Sequence, residues 1–308
     1  MISDKRLRQS ALSIGAVLAL LAGPSATAGQ SHFPTPDAAV KALIEAAGTE
    51  NGEAMQAIFG PGAEELRSGD PIADALERKA FVAAAQAAAR ILPDGDDYAI
   101  LSIGNEDWPF PIPLVKETDG WRFDTEEGIE ELHDRRIGRN ELNTIATALE
   151  YVEAQYEYQS RDRDGDGTRE FAGKLMSTEG ERDGLYWPVA DGERESPMGR
   201  LVAEATAKGY RPGEGGEPTP YHGYYFRPLT AQGENAPGGA KSYIVDGHMT
   251  GGFALLAYPA EYGNAGIMSF LVNQSGILFQ KDLGKDTASL AAAITEYDPD
   301  RSWQPVAD

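Results

Sequence analysis

The sequence predicts an α+β protein, on three observations. Helical periodicity comes first, in FPTPDAAVKALIEAAG (33–48) and ALERKAFVAAAQAAARIL (75–92). Short segments rich in β-branched and aromatic residues follow, in DYAILSIG, PFPIPLVKE and GWRFDTE. The same order then recurs: an amphipathic helix in NELNTIATALEYVEAQYEYQS (140–160), then the apolar runs GGFALLAYP and IMSFLVN. Helices grouped ahead of strands predict segregated layers and antiparallel sheets, whereas strict alternation would predict a parallel sheet.

Each element has a local reason. In the first unit, 33–137, Thr35 or Asp37 caps a helix whose apolar face carries Val40, Leu43 and Ile44. GEAMQAIFG follows, and Pro61-Gly62 turns the chain. A longer helix is expected from Asp74 to Leu92, stopped by Pro93 and Gly95. The three short strands come next, separated by Gly, Pro and Asp. In the second unit, Leu142, Ile145, Leu149, Val152 and Tyr156 are spaced 3, 4, 3, 4. They are expected to form the buried face of that helix. Residues 178–241 are rich in Gly and Pro, with one short helix in GRLVAEATAKG. In SYIVDGHM, Asp246-Gly247 is a strong two-residue hairpin signal. The apolar runs after it predict strands covered on both faces, and Asp286 is placed to cap a last helix in TASLAAAITEY.

Composition narrows the function classes. Lys5, Arg6 and Arg8 precede a short apolar run, Ala11 to Ala22, and the small-residue site Ala26-Thr27-Ala28. This is the pattern of a signal peptide cleaved after Ala28, so residues 1–28 are expected to be removed and the protein to be periplasmic or secreted. There is no cysteine, which excludes disulfides and a lipid-modified cysteine anchor. A net charge of −22 repels nucleic acid and anionic membranes and favours cations. No later apolar run is long enough to span a bilayer, so no membrane insertion is expected after cleavage.

A run of motifs then resembles a known family. In order they are WPFPIPLV, GWRFDTEEG, RRIGRNEL, RDRDGDG, DGLYWP, GYRPGEGG, YHGYYF, GGFALLAYPAEYG and QKDLG. Together they resemble an uncharacterised family of secreted bacterial proteins, domain of unknown function 2950, from about residue 33 to the C-terminus. The resemblance implies an exported protein of Gram-negative bacteria whose partner is another secreted envelope protein encoded nearby. It implies no activity. Two further likenesses concern fold. Residues 33–137 are similar to the nuclear-transport-factor-2-like (cystatin-like) cone. Residues 138–308 are similar to the soluble part of pilins and pseudopilins, a helix followed by a loop and an antiparallel sheet.

The clearest chemistry lies in SRDRDGDGTREF (160–171). Asp162, Asp164 and Asp166 alternate as positions 1, 3 and 5 of a calcium loop, and Gly167 takes the sharp turn at position 6. Thr168 offers a carbonyl at position 7 and Glu170 a carboxylate at position 9. Position 12, normally a bidentate Glu, is Gly173, so the loop 162–173 needs an outside ligand such as Glu157 or Asp183. The expectation is a weak, structural calcium site. The opposing reading is a solvated turn in which Arg161, Arg163 and Arg169 pair with the aspartates.

Other signals are weaker. His32, His133, His222 and His248 show no zinc spacing and are expected to be surface or satisfied groups. There is no G-x-S-x-G elbow, and GEGGEP (213–218) lacks the P-loop lysine. Aromatic residues at 186–187, 221, 224–226, 258 and 262 are expected to pack loops onto the sheet. The sum points to a non-enzymatic binding or scaffold protein of the cell envelope with a structural calcium loop. The alternatives are a small-molecule hydrolase or isomerase using a pocket in the N-terminal cone, and a pseudopilin-like assembly subunit.

Overall fold

The computed structural model describes residues 29–163, 165–190, 192–210 and 219–307. The expected signal peptide lies outside the described residues, as do Asp164 and the GEGGEP segment.

Three helices open the chain: α1 (Pro36–Gly48), α2 (Gly52–Phe59) and α3 (Pro71–Ala87). Side chains cap each start. Thr35 Oγ1 accepts from the Ala38 N–H, Asn51 Oδ1 from Ala54, and Asp70 Oδ1 from Ile72 and Ala73. Five strands follow: β1 (Ala89–Pro93), β2 (Tyr98–Ile103), β3 (Trp108–Pro109), β4 (Leu114–Glu117) and β5 (Gly120–Phe123). They pair antiparallel in the order β1-β2-β4-β5, with β3 also against β2.

The expected helix to Leu92 is overturned here. It ends at Ala87, and Ala89–Pro93 pairs with Ile103–Ala99 as β1. Leu92 precedes a proline, which disfavours helical backbone, and a ladder with β2 is available. The alanine run imitates a longer helix because alanine favours helix wherever tertiary pairing does not override it. The interior behind this sheet is filled. Leu101, Leu114 and Phe123 are wholly buried, and the Phe123 ring meets Phe59 at 5.5 Å and Phe110 at 6.2 Å.

The longest element is α4 (Thr125–Gln159), 35 residues. It begins well before residue 138, so the division of the chain at 137/138 falls inside one continuous helix. Its N-terminal turns pack on the first half and its C-terminal turns on the second.

The buried face of α4 is only in part the expected one: Ile145 and Val152 pack against the second core, and the Tyr156 ring meets buried Phe253. Leu142, Leu149 and Tyr156 are 69%, 43% and 48% exposed. The buried positions are Thr144, Thr147, Ala148, Tyr151, Ala154, Gln155 and Tyr158. The reason is close approach. Small side chains let the helix lie near the sheet, and the two threonine hydroxyls are satisfied by Asn140 O and Asn143 O, each at 2.8 Å. Buried polar atoms cost little once hydrogen-bonded, so apolarity alone misplaces the face.

After α4 come β6 (Lys174–Met176), β7 (Gly184–Tyr186), α5 (Gly199–Ala207), β8 (Tyr224–Leu229), β9 (Ala231–Gln232) and β10 (Lys241–Ser242). The chain ends with β11 (Ala254–Pro259), β12 (Met268–Asn273), β13 (Phe279–Asp282), α6 (Thr287–Ala293) and β14 (Gln304–Pro305). The main sheet is antiparallel in the order β14-β13-β12-β11-β8. Ala254 to Ala257 and Ser269 to Asn273 are buried without alternation, so both faces are covered, as the apolar runs require. Helix α4 packs on β11 and β12, and α6 packs on β11. Asp286 stands at the N-cap position of α6, but its side chain accepts no bond from the helix.

The Asp246-Gly247 hairpin forms as expected. Both residues have positive φ, 53° and 92°, and Val245 and His248 exchange backbone hydrogen bonds of 2.8 and 3.0 Å. The architecture is α+β, with antiparallel sheets except for the short parallel pair β6–β7.

Candidate metal centre

The acidic loop starts where α4 stops. Arg163 Nη2 donates to Glu157 O at 2.7 Å and Nε to Tyr158 O at 3.1 Å. A cation on the last carbonyls of a helix satisfies them and offsets the helix dipole. The guanidinium also lies 5.7 Å from the centroids of both Tyr158 and Trp187. Burial lowers its pKa from the usual arginine value. This arginine caps the helix and stacks on two rings.

Asp162 organises the turn that follows. Its Oδ1 accepts from Gly165 N at 2.7 Å and its Oδ2 from Gly167 N at 2.9 Å. Both glycines have positive φ, 83° and 94°, which a side chain would strain. Asp166 Oδ1 accepts from Thr168 N at 2.6 Å, a tight turn two residues long.

The exit of the loop is fixed from two sides. The buried Gln155 of α4 holds Ala172 by both backbone groups, each at 2.8 Å. Phe171 N donates to Met249 O at 2.9 Å, and Met249 N donates to Glu170 Oε2 at 2.7 Å. These bonds lay 170–172 beside the segment that leaves the Asp246-Gly247 hairpin.

That pairing brings a third group to the loop. His248 Nδ1 lies 3.2 Å from Asp166 Oδ2 and 3.7 Å from Glu170 Oε2. Ligand atoms of Asp166, Glu170 and His248 all lie within 4.8 Å of one another. The three side chains are 34%, 19% and 34% exposed, so the cluster is half open to solvent. Two carboxylates and one imidazole suit a divalent cation. The oxygens suit calcium, and the ring nitrogen suits zinc or another borderline metal.

Of the residues read from the sequence, Asp166 and Glu170 converge here. Asp162 is not part of this triad. Thr168 contributes its N–H to Asp166, and Asp164 lies outside the described residues. Neither suggested outside carboxylate joins the cluster. Glu157 faces Arg194 at 3.4 Å. Asp183 lies 2.5 Å from Lys174 Nζ and accepts from the Thr178 N–H and hydroxyl, both at 2.8 Å. His248 was missed because 82 residues of chain separate it from Asp166, and no local spacing encodes their meeting. The hairpin signal at Asp246-Gly247 marks its position but not what it faces.

Asp183 also gives a pH test. Burial opposes its ionisation, but the Lys174 ammonium and the two Thr178 donors outweigh this and hold its pKa at about 2, below the ordinary 3.8. A depressed carboxyl pKa contributes stability that is present above 3.8 and lost as pH falls toward 2. The Tm difference between the native chain and Asp183→Asn should therefore be constant above pH 4 and shrink between about pH 4 and 2. A pH-independent difference would show that the Lys174–Asp183 contact is not formed.

With this geometry in hand, the chain can be placed among known proteins. A family model described as Protein of unknown function (DUF2950) matches residues 30–306. The chain belongs to this family. The match spans both halves and the whole of α4, so the family is defined by the complete two-core architecture and not by one half of it. Comparison with curated proteins and with solved structures finds no match. This chain of DUF2950 is therefore read from its own residues, of which the 162–173 loop and His248 offer the most chemistry.

Proposed function

We propose that this protein is an exported, non-enzymatic binding or scaffold protein of the cell envelope, and that its acidic loop takes a structural divalent cation, calcium in the first instance. One observation carries this reading. Asp166 and Glu170 converge with His248, which comes from a hairpin far along the chain, so an ion bound there would clasp the exit of α4 to the 242–250 hairpin. The bound ion offsets repulsion between the two carboxylates and supplies coordination that water would otherwise provide. His248 then either ligates directly or hydrogen-bonds a ligating carboxylate and orients it. At the fold level, the first half with its three helices and five-stranded sheet fits a nuclear-transport-factor-2-like cone. The second half, from the later turns of α4, fits a pilin-like arrangement. The partner implied by the family resemblance is another exported protein.

The test is thermal and urea unfolding of the 29–308 chain with calcium, zinc and chelator. With a Kd in the range of about 10⁻⁴–10⁻³ M typical of extracellular calcium modules, 10 mM calcium should stabilise by about 1.4–2.7 kcal/mol. Glu170→Gln and Asp166→Asn should abolish that gain. His248→Gln separates the ions: it should remove a zinc response and leave most of a calcium response. Stability indifferent to both ions and to chelator sinks the reading.

The enzymatic alternative needs a pocket in the first half; the core behind its sheet is filled at Leu101, Leu114 and Phe123, so such a site would have to lie outside it, as in the cavity beside Trp108. The assembly alternative has an observation of its own. Leu142, Ala146 and Leu149 form an exposed strip on α4, the kind of face that packs against another helix. If it does so with a second copy, the native chain should sediment as a dimer or larger, and Leu149→Glu should return it to monomer. A native monomer at about 100 μM, a concentration at which weak dimers with Kd near 10⁻⁴ M are visible, leaves the strip without that role.

A further inference from the structure

A second site lies some distance along the molecule, where α3 and the first half of α4 face each other over β2 and β3. They flank a half-open cavity of about 320 Å³, at the lower end of the size range for small-molecule sites. Its floor is apolar, formed by Phe81 and Ala84 of α3 and Leu132 of α4. Three arginines within little more than one turn of α4, Arg135, Arg136 and Arg139, also line the cavity. Trp108 stands at the mouth with 43% of its surface exposed, and the Arg135 guanidinium lies 5.0 Å from its ring centroid.

The charges here are unevenly matched. Arg135 pairs with Glu131 and Arg139 with Glu77. Arg136 is 3% exposed, and no carboxylate among the described residues lies within ion-pair distance of it. Its terminal nitrogens donate to Leu66 O, Arg67 O and the Asn264 side chain, but its buried Nε–H has no acceptor. A buried donor left unpaired is costly, and burial without a directly contacting carboxylate lowers the Arg136 pKa from the usual arginine value. Asp74, Glu77 and Glu261 act on this guanidinium only from beyond ion-pair distance, and Glu77, which also lines the cavity, is engaged by Arg139. An anion placed in that cavity would remove the imbalance.

From this we infer that the cavity binds a small amphiphilic carboxylate, with its apolar or aromatic body on the Phe81–Leu132 floor beside Trp108 and its carboxylate on the arginine wall. Arginine suits this task because its planar fork matches a carboxylate and stacks on aromatic rings. The site is independent of the acidic loop and holds whether or not a cation binds there.

The test is calorimetric titration of the 29–308 chain with 2-naphthoate, and with 2-naphthylmethanol as the uncharged counterpart. Binding of 2-naphthoate is expected, and the alcohol should bind at least about tenfold more weakly, since it cannot engage a charge-assisted pair. Ala80→Phe, on an exposed position at the mouth, should fill the cavity and abolish binding. Arg139→Gln, also exposed, should weaken naphthoate about tenfold and leave the alcohol unchanged. Neither residue belongs to the core, and circular dichroism checks that both variants fold. No binding of 2-naphthoate up to 10 mM, a free-energy gain below about 3 kcal/mol, overturns the inference. So does equal affinity for acid and alcohol, or undiminished binding by folded Ala80→Phe.

Discussion

Replacing Phe253 with alanine should cost about 3–5 kcal/mol, the range for deleting a fully buried phenyl ring. Phe253 is wholly buried just ahead of β11. Its ring touches three others: Phe171 at 4.8 Å, Tyr156 at 5.6 Å and Tyr151 at 5.8 Å between centroids. All three contacts are edge-on, the geometry in which aromatic quadrupoles attract. Those partners come from different places. Tyr151 and Tyr156 belong to α4, and Phe171 ends the acidic loop. Removing the ring therefore opens a cavity at the point where helix, loop and sheet meet. The neighbours cannot collapse into it easily. Tyr151 is tied to Ala254 O and to Gln155, and Tyr156 to Gln274 O at 2.7 Å. Urea unfolding with an unchanged m-value is the measurement. Phe253→Leu should recover much of the loss, because most of the volume is restored. A loss below about 1 kcal/mol for the alanine variant would show that the ring is not part of a packed core.

The same cluster shows what a sequence discloses and what it withholds. The strands β11 and β12 were legible because a run such as ALLA or FLVN has only one comfortable environment, a strand covered on both faces. The hairpin at Asp246-Gly247 was legible because two successive positive φ values restrict the residue choice severely. The helix over 140–159 was legible as a helix but only partly as to its face, since Ile145 and Val152 do pack on the core. Leu142 and Leu149 carry the apolar periodicity, yet Thr144, Ala148 and Gln155 are the positions that face the sheet. Packing there is decided by side-chain size and by hydrogen bonds that exist only after folding. The helix from 75 to 92 failed for a related reason: β1 is made by its ladder with β2, and nothing within 89–93 alone announces that partner. The acidic loop divides in the same way. Alternating acids and a glycine are local and were readable, whereas His248 joins them only through the Phe171–Met249 pairing.

Asp70 carries the second large effect, because one side chain performs two tasks. Its Oδ1 caps α3 by accepting the Ile72 and Ala73 N–H groups, each at 3.0 Å. Its Oδ2 accepts the Tyr210 hydroxyl at 2.7 Å, from a residue that follows α5 on the far side of the sequence. Asp70 is 4% exposed and Tyr210 2%, so water cannot replace either partner readily. Asp70→Ala loses the cap, worth about 1 kcal/mol, and strands a buried hydroxyl at about 1–3 kcal/mol. The expected total is about 2–4 kcal/mol. Asp70→Asn keeps an N-cap oxygen and should cost markedly less. Tyr210→Phe leaves the carboxylate Oδ2 without its donor and should also destabilise. Since both single changes break the same bond, the double variant Asp70→Ala/Tyr210→Phe should be less destabilised than the sum of the two by at least about 1 kcal/mol. That coupling is the deciding measurement, because a cap acting alone gives strict additivity. If the energies add, the 2.7 Å contact contributes nothing, and the link that stands is the one from the segment before α3, through Arg67 O to Arg136 and Asn264. If they couple, the cap of a helix in the first half is also a fastening to the second, and unfolding of the two halves should occur in one transition.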